Sequence, residues 1–223
     1  YNNNSKTNYT IQKGIITVAD AHSIAAIIYL ISILIAIYIN VTFTILIFII
    51  SFFSLTYSLP PRIKKYLFIN QIWISIPRGI LTILASWSVF GNPFSPTPLI
   101  VGSIATLFLI GGMSTKDIFD DFSNKRTGVK TLINKFGIKK NACVSLTFLI
   151  MPFILVPPLI VLNILELYFW PLTLMIIPSY FVYVIIKKIN KNKKLEKYST
   201  LTLMYFFYIF FTLSFSLCTI LNC

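Results

Sequence analysis

The 223-residue sequence predicts an all-α, polytopic transmembrane helical bundle, and three observations carry that prediction. Hydrophobic residues make up 57% of the chain and charged residues 11%, with mean hydropathy +0.82, a balance that excludes a soluble globular domain. Seven apolar runs are long enough, at about 1.5 Å per helical residue, to cross a hydrocarbon core of about 30 Å. The remaining charges cluster between those runs instead of being scattered through them.

The runs fall at 22–39, 41–57, 72–90, 97–114, 142–162, 167–186 and 200–220. Asp20 is placed to cap the first helix, and His22 beside it is the only histidine, which leaves His-based metal or acid–base chemistry without support. The second run ends at YSLPPRIKKY, residues 57–66, where Pro60 and Pro61 stop a helix. The third carries Arg78 directly after Pro77, about one and a half turns inside. A guanidinium in a span is costly unless it is paired or faces water, so two readings stand open: a functional ligand, or an arginine snorkelling to the interface. The fourth run leads into a polar patch, after which TLINKFGIKK forms a basic connector into the fifth. Phe and Tyr are dense at 180–183 and 205–211, in the last two runs, as interfacial belts and lipid-facing packing require.

Charge fixes the orientation. Seven spans place the N-terminal segment and loops 58–71, 115–141 and 187–199 on one side, together with 18 of the 19 Lys and Arg; the exception, Arg78, lies within a span. The positive-inside rule makes that side cytoplasmic in a multi-pass protein of the cell membrane. The net charge of +13 then belongs to basic loops facing anionic lipid, and nucleic acid is not among the expected partners. Cys143, Cys218 and Cys223 show neither a pairing pattern nor metal-ligand spacing.

The patch at 116–137, KDIFDDFSNKRTGVKTLINKFG, holds three of the six acidic residues of the chain, Asp117, Asp120 and Asp121, and five Lys and Arg. If the fourth helix continues into it, Asp117, Asp120, Asp121 and Asn124 stand at i, i+3, i+4 and i+7, near one face, until Gly128 ends or bends the helix. Carboxylates that close repel one another without a cation. With Lys116, Lys125, Arg126 and Lys130 nearby they suit a Mg²⁺-bridged diphosphate, since Mg²⁺ takes oxygen ligands and usually keeps a substrate phosphate among them.

The patch resembles the second aspartate-rich motif of the UbiA superfamily of intramembrane prenyltransferases: Asp117, Asp120, Gly128, Thr131, Leu132 and Gly137 match it, while Ser123 stands for a Gly and Asn124 for a third Asp. YSLPPRIKKY is similar to a loop of the same family, in which Tyr57 offers a hydroxyl and Arg62, Lys64 and Lys65 offer cations to a phosphate or an acceptor head group. The family's first aspartate-rich motif is not in view, and two readings stand open: it was cut away, or it is replaced by Asn2 and Ser5, which stand roughly where its carboxylates are expected. The resemblance therefore implies one UbiA-like domain over 1–223, with seven spans of an expected nine and without the first two helices.

It also implies a function: transfer of a prenyl group from a polyprenyl diphosphate to a membrane-associated acceptor. Asp117, Asp120 and Asp121 would serve as catalytic Mg²⁺ ligands, and Tyr57, Arg62, Lys64, Arg78, Lys116, Asn124, Lys125, Arg126 and Lys130 as substrate-binding residues. IPRG at 76–79, WSVF at 87–90 and TPLIVGSI at 97–104 are most similar to archaeal members, and leave ether-lipid and quinone-type acceptors as equal alternatives. Two other classes stay open: a catalytically impaired lipid-binding relative, and a small transporter, although Arg78 is the only charge within the spans.

Overall fold

The structure, a computed structural model, describes residues 15–66, 68–127, 132–188 and 194–220; the side chains of residues 65, 114–136, 138, 139, 141, 142, 186–201 and 218–220 lie outside that description. Among the described residues every regular element is helical. Helix α1, Val18–Ile39, opens four residues before the predicted run. Thr17 is its N-cap, and Asp20 caps from the third helical position: the Asp20 N–H donates to Thr17 Oγ1 at 3.1 Å while Asp20 Oδ2 accepts from the Thr17 N–H at 3.1 Å. A single extended residue, Asn40, joins α1 to α2, Val41–Ser58. Its carboxamide accepts from the Phe43 N–H at 2.7 Å and donates to the Ser88 carbonyl at 2.9 Å, which ties this hairpin to a distant helix end.

The third predicted span is a composite. Helix α3, Ile69–Ile76, passes into a π-helical segment, Pro77–Leu81, and then into α4, Thr82–Trp87. Pro77 lacks an N–H and its ring would crowd the carbonyl four residues back, and the wider π turn absorbs that misfit. The rod therefore begins at 69 and ends at 87, three residues earlier at each end than the predicted run.

Helix α5, Pro96–Thr127, has 32 residues, about 48 Å at 1.5 Å per residue, and so is longer than a hydrocarbon core by roughly 18 Å. Its apolar portion is Pro96–Met113; the remainder is the polar patch. Helix α6, Leu132–Ile154, starts ten residues before the predicted fifth run and is broken at Gly137, whose φ of 78° and ψ of 166° belong to a region that only glycine enters readily. Helix α7, Val156–Val161, completes that span. A 3₁₀ stretch, Leu167–Met175, containing Pro171, feeds α8, Ile176–Lys188, and α9, Lys194–Ile220, closes the described chain.

Five segments of the described residues are long and apolar enough to cross a membrane: Val18–Ile39, Val41–Ser58, Pro96–Met113, Cys143–Val161 and Leu167–Ile185. The third predicted span is divided among shorter pieces, and the apolar part of the last, Thr202–Leu217, is shorter than the other five. The main core lies among α5, α6, the 3₁₀ stretch, α8 and α9, centred on three fully buried rings. Phe108 and Phe153 stand 5.4 Å apart, Phe108 and Phe211 6.3 Å, and Phe153 and Phe211 6.1 Å, distances at which aromatic pairs attract beyond their area burial. A smaller cluster, Leu46, Leu84 and Ala85, joins α2 to α4. Helix α1 packs on α2 and buries only Ala36, so nearly its whole apolar surface faces outward.

Small residues allow the closest helix approaches, as expected where lipid removes the hydrophobic drive for helix association. A Cβ at Gly79 would stand 2.7 Å from the Thr106 backbone on α5, and one at Gly111 would stand 2.8 Å from Leu149 N on α6.

Candidate active site

Helix α5 continues without a break through the polar patch to Thr127, adjacent to Gly128. Asp117, Asp120, Asp121 and Asn124 thus occupy positions i, i+3, i+4 and i+7 of one helix, with Lys116, Lys125 and Arg126 on the same element; their side chains lie outside the described residues, as does all of Lys130. Among the described residues no group of His, Cys, Asp and Glu could hold a metal ion. The donor set at the end of α5, carboxylates and a carboxamide on successive turns, fits a hard dication.

A cavity of about 330 Å³ lies between α2 and the rod 69–87. Tyr57 and Arg78, singled out separately in the sequence, both line it, together with Ser54, Trp73 and Thr82. Arg62 and Lys64 are in the connection that follows α2: Arg62 is exposed, with φ of 57°, and Lys64 is half-buried in a 3₁₀ turn, Ile63–Lys65.

Arg78 is the tenth of the nineteen residues 69–87, the midpoint of the rod, about 13 Å along the axis from either end. Its exposed side chain lines the cavity at mid-rod.

Bonds from two other helices hold the π-helical segment that carries Arg78. Thr106 Oγ1 of α5 accepts from the Ile80 N–H at 2.8 Å and donates to the Gly102 carbonyl at 2.8 Å. Tyr208 of α9 donates its hydroxyl to the Arg78 carbonyl at 2.7 Å, and Thr82 Oγ1 donates to the Pro77 carbonyl at 2.6 Å. One cavity wall is equally fixed. Trp73 Nε1 donates to the Phe53 carbonyl at 3.1 Å and to Thr56 Oγ1 at 3.0 Å, and its ring lies 4.4 Å from that of Phe53. Trp73, Thr106 and Tyr208 were not singled out in the sequence, where nothing distinguishes a wall or a clamp from ordinary packing.

A multi-pass bundle of apolar helices, one of them running on into an acidic end, places the chain among polytopic helical membrane proteins. The sequence matches the model of the UbiA prenyltransferase family over residues 2–212, and the chain belongs to that family; it is a membrane prenyltransferase. A comparison of the sequence with curated proteins gives no match. Among solved structures the fold is similar to that of digeranylgeranylglyceryl phosphate synthase, with TM-score 0.64 and 21% identity over 94% of this chain and 73% of that one. It is also similar to a UbiA homologue from Archaeoglobus fulgidus bound to Cd²⁺, with TM-score 0.69 and 18% identity over 94% of this chain and 78% of that one. A second structure of a UbiA homologue from Archaeoglobus fulgidus gives TM-score 0.65 and 17% identity, over 93% and 76% of the two chains.

Proposed function

We propose that this single UbiA-type domain transfers a prenyl group from a polyprenyl diphosphate to a glyceryl phosphate ether lipid, with Mg²⁺ and the diphosphate held at the polar end of α5. The observation that carries the reading is the unbroken helix through Asp117, Asp120, Asp121 and Asn124, which turns a cluster of acidic letters into a ladder of oxygen ligands one helical turn apart. The fold shared with digeranylgeranylglyceryl phosphate synthase supports the acceptor class, and the Cd²⁺-bound relative supports use of a divalent metal.

Asp117, Asp120 and Asp121 would hold the ion, with Asn124 adding a neutral oxygen. When bound, Mg²⁺ polarises the diphosphate and offsets the charge that develops as it leaves. Lys116, Lys125, Arg126 and Lys130 take up the remaining phosphate charge, and Arg62 and Lys64 face the same aqueous boundary from the end of α2. The apolar bundle keeps water from the allylic carbon, so that the acceptor hydroxyl oxygen forms the new bond to it as the bond to the diphosphate breaks, and the hydroxyl proton leaves with the released diphosphate. The basic loops and this polar mouth face the cytoplasm.

The test is transfer of a labelled geranylgeranyl group by the full-length protein in detergent. Asp117→Ala and Asp120→Ala should each lower Mg²⁺-dependent transfer by about 100-fold or more, as expected when an electrostatic partner of the transition state is removed. If both variants stay within a few-fold of wild type, the catalytic assignment is wrong.

A further inference from the structure

The cavity between α2 and the rod 69–87 contains a charge that the diphosphate cannot use. Gly79 abuts Thr106 and the Ile80 N–H bonds to it, so Arg78 lies at the level of Thr106 on α5. Asp117 is eleven residues further along α5, about 16 Å along the helix axis. A diphosphate held at 117–124 therefore lies well beyond the guanidinium. Among the described residues that line the cavity none is a carboxylate, and Arg78 is the one charged side chain among them; the hydroxyls of Ser54 and Thr82 donate to the Ile50 and Pro77 carbonyls. A guanidinium within an apolar bundle is costly unless it is paired or faces water, which suits Arg78 to an anionic partner.

We infer that this cavity receives the phosphate monoester head of the acceptor lipid, with Arg78 as its cationic ligand and the Tyr57 side of α2 as the opposite wall. The inference rests on the transfer reaction proposed above and assigns its second substrate a place. A volume of about 330 Å³ is near the small end of ligand sites, about 300–1,000 Å³, which accommodates a polar head and leaves the isoprenoid chains along the helices. The separation along α5, shortened from both ends by the reach of the side chains, is the space left for the glyceryl carbons and the allylic carbon of the donor. The clamp from Thr106 and Tyr208 on the π-helical segment fixes where the guanidinium is presented.

Equilibrium binding tests this without turnover. Geranylgeranylglyceryl phosphate and the corresponding dephosphorylated alcohol are titrated onto the full-length protein in detergent, without metal or diphosphate. Wild type should prefer the phosphate at least tenfold. Arg78→Gln should bind both equally, Arg78→Lys should recover part of the preference, and all three proteins should bind geranylgeranyl diphosphate with Mg²⁺ within threefold of one another. No preference in wild type, a preference that survives in Arg78→Gln, or a loss of geranylgeranyl diphosphate affinity in Arg78→Gln would each overturn the assignment. A tenfold preference in wild type for an aromatic carboxylate such as 4-hydroxybenzoate over the phosphate lipid would overturn it as well. If the wild-type protein transfers no prenyl group at all, the reaction proposed above fails, whereas the phosphate preference still reads Arg78 by itself.

Discussion

Replacing Gly111 with alanine should force α5 and α6 apart, and the size of the effect follows from the distances at that contact. The added methyl would lie 2.8 Å from Leu149 N, 2.9 Å from Leu149 Cγ and 2.9 Å from Ser145 O. Non-bonded carbon contacts settle at about 3.5–4.0 Å, so the two backbones must separate locally by roughly 0.7 Å, a gap that forfeits about a quarter to a half of each dispersion contact it opens. Neither backbone can rotate away, and overpacking of this kind typically costs about 1–3 kcal/mol. For a protein of this size each kcal/mol lowers the melting temperature by about 2–4 °C, giving a fall of roughly 2–12 °C. Gly112 is the control. There the three atoms nearest the methyl all belong to the Met204 side chain, with Sδ at 2.9 Å, and a flexible thioether can move aside, so Gly112→Ala should cost under about 1 kcal/mol. Thermostability of the detergent-solubilised protein, followed by size-exclusion chromatography after heating, ranks the two. An unchanged Gly111→Ala, or a Gly112→Ala that melts below it, would refute the claim that backbone proximity decides the cost.

Thr106→Val keeps the shape but leaves the Ile80 N–H without its partner, and should cost about 1–3 kcal/mol in the same assay, whereas Thr106→Ser should stay close to wild type. A Thr106→Ser variant as unstable as Thr106→Val would show that the methyl matters and the bond does not. Gly137→Ala meets nothing within 4 Å, so its expected loss of about 1–3 kcal/mol comes from backbone conformation alone; full stability would contradict the positive φ at that position. Reporter fusions after residues 65, 130 and 193 should read cytoplasmic and one after residue 94 external, and any of the first three reading external would refute the proposed orientation.

The membrane bundle was legible because hydropathy and span length are summed over about twenty residues, and local irregularities average out. The same averaging concealed the interior of the third span. Pro77 is visible in the sequence, but a kink, a break and a π-helical turn share one sequence signature, and only the backbone of 77–81 distinguishes the last. The acidic ladder on α5 was legible through its i, i+3, i+4, i+7 spacing on condition that the helix continued, and α5 does continue. That Tyr57 and Arg78 line one cavity was not legible, because they are 21 residues apart on different elements and only the packing of α2 on the rod brings both to it. The aromatics at 205–211 divide by helix face: Phe206 and Phe210 are exposed as predicted, while Phe211 belongs to the innermost cluster, a distinction that depends on which neighbour covers each face.

Metal dependence of prenyl transfer is the most direct test of the central claim. Transfer of labelled geranylgeranyl from its diphosphate to geranylgeranylglyceryl phosphate is measured across a Mg²⁺ titration, for wild type and for Asp117→Asn. The account predicts that chelation abolishes wild-type transfer, and that Asp117→Asn, having lost one ligand charge, needs at least about tenfold more Mg²⁺ for half-maximal rate, a shift of about 1.4 kcal/mol in binding. Full turnover by wild type in excess chelator, or an unchanged Mg²⁺ requirement in Asp117→Asn, would contradict it.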